Sequence, residues 1–312
     1  MLNLIKSNKI ELLTDVLAEE LLINPPSVTE NIDISVSDYL LGNWMKDQIT
    51  IKNRISSLYE FKSINSYTEN LIKKFYPENI LDSWNFESLI WVVLNSLGEV
   101  YQYKESWPLH YWLQKYDQKI NILDKDLYIL CNKIARIFSD YMVYRPEMIN
   151  NWHLSEIGEK GLFNGLESSE YWQPILFKVI EKKIGFRSVP FLIIDFLNNF
   201  DSQKLKIKEK IPEQIYLLVI NNLSRLQLSF YLQISQLTRV NIYQLSYGYD
   251  LWGRLNIEQG TIFRKDEDLN LDNIERIFGR YGSDFEKLFD ETVNNLQIDI
   301  NYKPFYSNPE NM

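Results

Sequence analysis

Over the first sixty positions, short apolar runs alternate with amphipathic stretches. Leu2 to Ile5 is a compact apolar run, which predicts a strand buried on both faces. Ser7 or Asn8 offers a helix N-cap behind it. Ile10, Leu13, Leu17 and Leu21 then recur on one helical face, and Pro25-Pro26 ends the helix. Ile32, Ile34 and Val36 alternate with Asp33 and Ser35, which predicts a second strand. Asp38 starts a short helix through Trp44 and Met45, and Ile55 to Phe61 predicts a third strand. Strand–helix–strand–helix–strand is the order of a parallel α/β sheet.

The period then changes. From about Phe86 to Phe200 it is helical nearly throughout. Leu127, Leu130, Ile134, Ile137, Phe138 and Tyr141 lie at i, i+3, i+7, i+10, i+11 and i+14, the clearest amphipathic helix in the chain. Glu170 to Ile184 and Val189 to Phe200 predict further helices. Asp201 to Glu213 is polar and lysine-rich and reads as a connector. Ile215 to Ile220 and Val240 to Leu245 predict strands on either side of a helix from Leu226 to Leu237, and a last helix runs from Asp272 to about Val293. The expected organisation is a discontinuous α/β domain over residues 1–80 plus 205–300. A helical insertion domain covers 81–204 and a tail covers 301–312. No internal repeat is present.

Composition narrows the function classes. Aromatic residues make up 14% of the 312 positions and apolar residues 45%, enough for a large packed core, so bulk disorder is excluded. The single cysteine, Cys131, excludes an intramolecular disulfide framework and a cysteine-cluster zinc site. Two histidines, His110 and His153, make a His-rich metal centre a poor reading. The net charge of −9 argues against a protein that coats DNA over its whole surface, while leaving room for local basic patches. The N-terminus lacks the basic and apolar regions of a signal peptide, and no window is long and apolar enough to span a membrane. The expectation is a soluble cytoplasmic chain.

The first strand-to-helix turn carries the most chemical information. A phosphate-binding loop needs glycines, so that backbone N–H groups can wrap the phosphates, followed by a Lys and a hydroxyl. The turn here is Lys6-Ser7-Asn8-Lys9-Ile10, without glycine, and no Gly-Lys-Ser or Gly-Lys-Thr occurs elsewhere. Lys9 alone makes no cradle, so an ATPase is disfavoured and no cofactor is expected. A Gly-x-Ser-x-Gly elbow is absent. His110 and His153 sit beside aromatics and read as hydrogen-bonded structural histidines. Cys131 lies within the amphipathic helix without a basic neighbour to activate it. Glu181-Lys182-Lys183 resembles an acid-x-Lys nuclease triplet, but a solvated charged helix face explains it better. The eight tryptophans, Trp44, Trp84, Trp91, Trp107, Trp112, Trp152, Trp172 and Trp252, could stack on bases, with core packing the default for most of them.

Six segments, taken in order, resemble the gamma subunit of exodeoxyribonuclease V, the RecC family. They are Ser7 to Leu13, against a Ser-Asn-Arg-like turn; Val36 to Trp44, ending in a Trp at the family's spacing; Ile137-Phe138-Ser139-Asp140-Tyr141-Met142-Val143-Tyr144-Arg145-Pro146-Glu147, similar to Leu-Phe-Asp-Gln-Tyr-Leu-Val-Tyr-Arg-Pro-Asp and followed by Trp152; Tyr171 to Lys178, similar to Trp-Gln-x-x-Leu-Trp; Leu223 to Leu226; and Tyr249 to Gly253, similar to Tyr-Trp-Gly. The match is collinear to about residue 255. Family chains are much longer, so the resemblance makes this an N-terminal fragment.

The resemblance implies a superfamily-1 helicase-like parallel sheet domain, inactive as an ATPase, with a large helical insertion domain. It implies a non-catalytic subunit of an ATP-dependent helicase–nuclease in double-strand-break repair and recombination. Its partners would be the alpha and beta helicase/nuclease subunits together with single-stranded and duplex-end DNA, with no membrane. Such a subunit guides one unwound strand and scans it for a hotspot sequence. The missing phosphate loop agrees with a dead helicase.

Carried over residue by residue, Ser37, Tyr39 and Asn43 match positions where the family uses amide and hydroxyl side chains, Asn43 most closely. Glu69 stands near Tyr67 where the family has Trp. Arg145 and Arg187 match arginines, whereas Arg136 and Ser139 replace acidic residues. These departures argue against the same hotspot sequence and leave a strand channel open. Arg145 suits either a channel or a helix end, where it would answer exposed carbonyls; for Arg187 packing is favoured. The alternatives are a helical or α/β protein-interaction adaptor without DNA binding and a metal-dependent nuclease.

Overall fold

The computed structural model describes residues 1–25, 31–79, 81–114, 125–220, 223–246 and 273–307, with backbone alone for 81–82 and 273–284. The chain forms two compact units, residues 1–71 with 200–312, and residues 72–199.

The first unit is built on a parallel sheet. Its strands are β1 (Leu2–Ser7), β2 (Ile32–Val36), β3 (Tyr59–Ser63), β4 (Gln214–Val219), β5 (Arg239–Leu245) and β6 (Ile300–Pro304), in the order β3-β2-β4-β5-β1-β6. Leu2–Ile5 and Ile215–Val219 lie in this one sheet, so an all-helical adaptor is excluded. β1 and β4 are buried at nearly every position, which is why they read as largely apolar runs, interrupted in β1 by Asn3. On one face, Ile5, Ile34, Val36, Tyr216, Leu218 and Tyr243 pack under α1 (Ile10–Ile23) and α2 (Tyr39–Asn53). The alternate residues Leu217, Val219, Val240 and Ile242 are buried on the other side.

Beyond the sheet, α3 (Ile64–Phe75) meets α10 (Arg225–Ile234) through Thr68 Oγ1 and Tyr231 Oη at 2.8 Å, and α10 packs against α11 (Asn273–Leu296). An amide ladder crosses the sheet. Asn301 donates to Asn3 at 3.0 Å, and Asn3 donates to Asn241 at 2.7 Å.

The second unit is helical: α4 (Phe86–Val100), α5 (Trp107–Leu113), α6 (Lys125–Tyr144), α7 (Pro146–Leu154), α8 (Trp172–Ile184) and the first half of α9 (Val189–Lys210). α6 takes the expected amphipathic course and buries Leu127, Cys131, Ile134, Ala135 and Phe138. Its core centres on Trp152, with the rings of Phe138 and Phe177 at 6.4 Å and 5.6 Å.

Four expectations are corrected. The N-cap of α1 is Lys9, without a side-chain bond, rather than Ser7 or Asn8; Ser7 Oγ accepts from Lys9 N one residue too early, and Asn8 is engaged elsewhere. The third strand begins at Tyr59, because Ile55 follows the left-handed Arg54 and is exposed. Residues 201–210 continue α9 instead of forming a connector; Ile207 is buried there, and lysine and glutamate are good helix formers. Residues 301–304 of the expected tail belong to β6, paired with β1.

Candidate nucleic-acid interface

The glycine-free turn after β1 is closed by the chain itself. Ser307 N and Asn8 Nδ2 exchange bonds, Ser307 N donating to Asn8 Oδ1 and Asn8 Nδ2 to Ser307 O, both at 3.0 Å. Phe305 N donates to Lys6 O at 2.7 Å. Lys6, at the carboxyl end of β1, pairs with Glu286, whose other oxygen accepts from Gln244 Nε2 at 2.8 Å. Nearby, burial and Glu286 raise the Asp290 carboxyl above its ordinary value, against the pull of Lys6.

The carboxyl end of β2 presents three of the residues singled out in the sequence. Asp38 caps α2, its carboxylate accepting from Leu41 N at 2.9 Å and from Ser37 Oγ at 3.2 Å. Gly42 presses against the sheet, where a Cβ would stand 2.9 Å from Phe61 Cβ. That close seat turns Tyr39 and Asn43, four residues apart, into solvent; Tyr39 is 77% exposed. Ser37, Tyr39 and Asn43 are thus brought together at one helix start.

Arg145 and Arg187 belong to the helical unit. Arg145 sits at the junction of α6 and α7, exposed, with its guanidinium 5.7 Å from the Tyr141 ring centre. Arg187 is enclosed. It lies between the rings of Tyr76 at 5.5 Å and Phe191 at 5.3 Å, and pairs with Asp195 at 3.7 Å. Asp195 also accepts from Tyr76 Oη at 2.8 Å, and burial with this bond raises the Tyr76 phenol well above its ordinary value. Arg145 and Arg187 occupy different helix junctions.

The outer face of α6 carries more than the sequence reading assigned to it. Ile129, Lys133, Arg136, Asp140 and Tyr144 form one exposed stripe, about 22 Å long at 1.5 Å per residue. At its start, Tyr128 stands 6.2 Å from the ring of Trp91, and both rings are exposed. Trp91 and Trp107, each about half exposed, therefore depart from the core default, whereas Trp84 and Trp152 are buried and Trp44, Trp112 and Trp172 are partly buried. A helical wheel of α4 would have found Trp91, which lies off the stripe of Leu89, Val93 and Leu97. Trp252 and the Tyr249–Gly253 segment lie outside the described residues.

The other candidate groups have structural partners. His110 bonds Val100 O at 3.2 Å and stacks on Tyr101. His153 Nδ1 meets Glu181, which also accepts from Lys178 at 3.3 Å, so the carboxylate of the triplet is engaged. Lys183 of that triplet pairs with Glu99 at 2.8 Å. Cys131 is fully buried, and burial pushes its thiol up to about 12.

Comparison with known proteins decides the family. The family model described as "RecC, N-terminal domain" matches residues 2–309. The chain belongs to the RecC family. Three curated relatives are each named "RecBCD enzyme subunit RecC", and each is 23% identical to this chain. The protein of Escherichia coli K12 matches over 58% of this chain and 15% of its own length. That of Haemophilus influenzae matches over 95% and 28%, and that of Buchnera aphidicola from Baizongia pistaciae over 80% and 22%. The chain thus spans less than a third of the length of each relative. Among the described residues, no helix is long and apolar enough to cross a membrane.

Proposed function

We propose that this RecC-family chain is the amino-terminal, non-catalytic part of a DNA-guiding subunit in a helicase–nuclease that acts in double-strand-break repair and recombination in the cytoplasm. Its sheet domain is helicase-like without an ATP site, and the helical unit is an inserted domain. Its partners are the helicase and nuclease subunits of the same complex and the single strand released from a duplex end. The family match over residues 2–309 carries this reading. The Asn8–Ser307 contact supports the inactive half of it, because side chain and chain backbone fill the turn where a phosphate loop would need open N–H groups.

The strand-guiding surface of the helical unit is the outer face of α6 with Arg145, and that of the sheet unit is the α2 start with Ser37, Tyr39 and Asn43. Cations fix phosphates and exposed rings stack bases without reading sequence. Arg136 and Ser139, in place of acidic residues, favour a channel that grips the strand over one that reads the family's hotspot. Arg187 is a packing residue in this reading, its guanidinium against two rings and Asp195.

Arg145→Gln in the assembled complex tests the channel. Single-strand affinity should fall and its salt slope should flatten by about one phosphate contact, with folding preserved. An unchanged slope with a lowered melting temperature would make Arg145 structural. Saturable Mg²⁺-ATP binding that Lys9→Ala abolishes would overturn the inactive turn, and failure to co-purify with the helicase subunits would favour an adaptor.

A further inference from the structure

One pair of rings in the helical unit points away from its core. Trp91 on α4 and Tyr128 on α6 stand 6.2 Å apart with their planes at 52°, and both are exposed. Neither belongs to the cluster around Trp152. Rings left in water forgo the burial that normally fixes aromatic side chains. Here the tilted contact fixes them instead, because each ring limits the rotation of the other. Their free faces are therefore presented ready-made.

The charges beside the pair indicate what fits it. At 3.6 residues per turn, Lys125, Ile129, Asn132 and Arg136 form a row along the exposed face of α6, with Tyr128 on the side of α4 and Lys133 on the other. Lys125, Lys133 and Arg136 are exposed and form no ion pair among the described residues. They lie about 4.5, 7.5 and 12 Å from Tyr128 along the helix axis, at 1.5 Å per residue. At about 3.4 Å per stacked nucleotide, that span reaches phosphates on both sides of a base seated on the rings. The acids of the face, Asp126 and Asp140, stand at the edge turned away from α4. Glu87 lies one turn before Trp91 on α4, and the three unpaired cations outnumber it. Rings flanked by cations suit a nucleic acid, and a ring can stack only on a base that is not already stacked in a duplex.

We propose that Trp91 and Tyr128 form a stacking platform for one base of a single strand. The phosphates next to that base meet Lys125 on one side and Lys133 and Arg136 on the other. The proposal rests on the strand-guiding reading of α6 and adds to it a contact with the bases, separate from the phosphate contact of Arg145. Every base has a flat face, so the platform holds the strand against α6 without reading its sequence.

Oligothymidylate and an abasic strand of equal length, offered to the assembled complex, separate the two kinds of contact. Both carry the same phosphates, and only the first carries bases. Trp91→Leu should weaken thymidylate binding about tenfold while leaving abasic binding and the salt slope unchanged. Trp91→Phe should restore most of the affinity. A strand bearing 5-iodouracil should photocrosslink to the peptides of Trp91 or Tyr128. Trp91 is exposed, so the melting temperature should not move in either variant. Equal losses for both strands would overturn the platform. So would no loss for either while Arg145→Gln still flattens the salt slope, and the strand channel would then stand without it. If Arg145→Gln also leaves binding unchanged, the channel falls and the platform with it. Loss of the helicase subunits from Trp91→Leu would make the rings a protein-docking surface and overturn the platform.

Discussion

Asn3 and Asn241 stand opposite each other on β1 and β5, and their side-chain amides share a 2.7 Å hydrogen bond although both residues are buried. A parallel sheet flanked by apolar runs could slip in register at modest cost, because one hydrophobe replaces another; paired amides admit only one alignment. Asn3→Leu should leave the Asn241 oxygen without its donor and cost about 1–3 kcal/mol. The urea midpoint should fall with the slope unchanged. The double variant with Asn241→Leu should recover part of the loss. A midpoint unmoved by Asn3→Leu would show that the ladder does not hold the register.

Gly42→Ala should destabilise the sheet unit although alanine favours helix. The propensity gain is about 1 kcal/mol. The new methyl would meet Phe61 Cβ at 2.9 Å, a strand atom that cannot rotate away. Overpacking of this kind costs about 1–3 kcal/mol. A lowered thermal midpoint is expected, with Tyr39 and Asn43 shifted outward along with α2. A raised midpoint would mean that α2 can lift from the sheet freely.

Cys131 provides a pH test. Its folded value of about 12 lies above the ordinary 9.0, so the unfolded chain loses the proton first as pH rises. The stabilisation is whole below pH 9 and declines from there towards 12. The stability gap between the natural chain and Cys131→Ala, from urea melts, should narrow between pH 8.5 and pH 10.5. A gap that stays constant would contradict the burial account. The native thiol should also resist an aromatic disulfide reagent at pH 8 and react on denaturation.

Arg187→Lys keeps the charge and removes the plane that fits between Tyr76 and Phe191. The melting temperature should fall, while single-strand binding and its salt slope stay unchanged. Weakened binding at unchanged stability would instead place Arg187 on the strand.

Much of the fold was legible because burial on both faces leaves contiguous apolar runs, as at Leu2–Ile5 and Ile215–Val219, and burial on one face leaves a helical period, as in α6. The misreadings came where surface elements borrow apolar residues or go without them. Ile55 is apolar and exposed, so it drew β3 forward. The distal half of α9 buries Ile207 while leaving Leu205 in solvent, and looked like a linker. The stretch through β6 does alternate, Ile298, Ile300 and Tyr302 against Asp299, Asn301 and Lys303, but it is short and mostly exposed and was read as part of the tail. Around the candidate interface, the exposure of Tyr39 followed from helix spacing once Asp38 was taken as the cap. The ring cage of Arg187 did not, because Tyr76 lies far away along the chain.

The strand order carries a consequence for synthesis. β1 emerges first, yet both of its neighbours, β5 and β6, are encoded more than 230 residues later. At 5–20 residues per second the ribosome takes about 12–48 s to deliver Asn241 to Asn3. Throughout that interval Leu2, Leu4 and Ile5 have no strand beside them, while the helical unit is translated in full. The nascent chain therefore carries an unpaired, largely apolar strand until β5 has been made. That strand is where a holding chaperone would act, and where crowding of nascent chains would first cause aggregation.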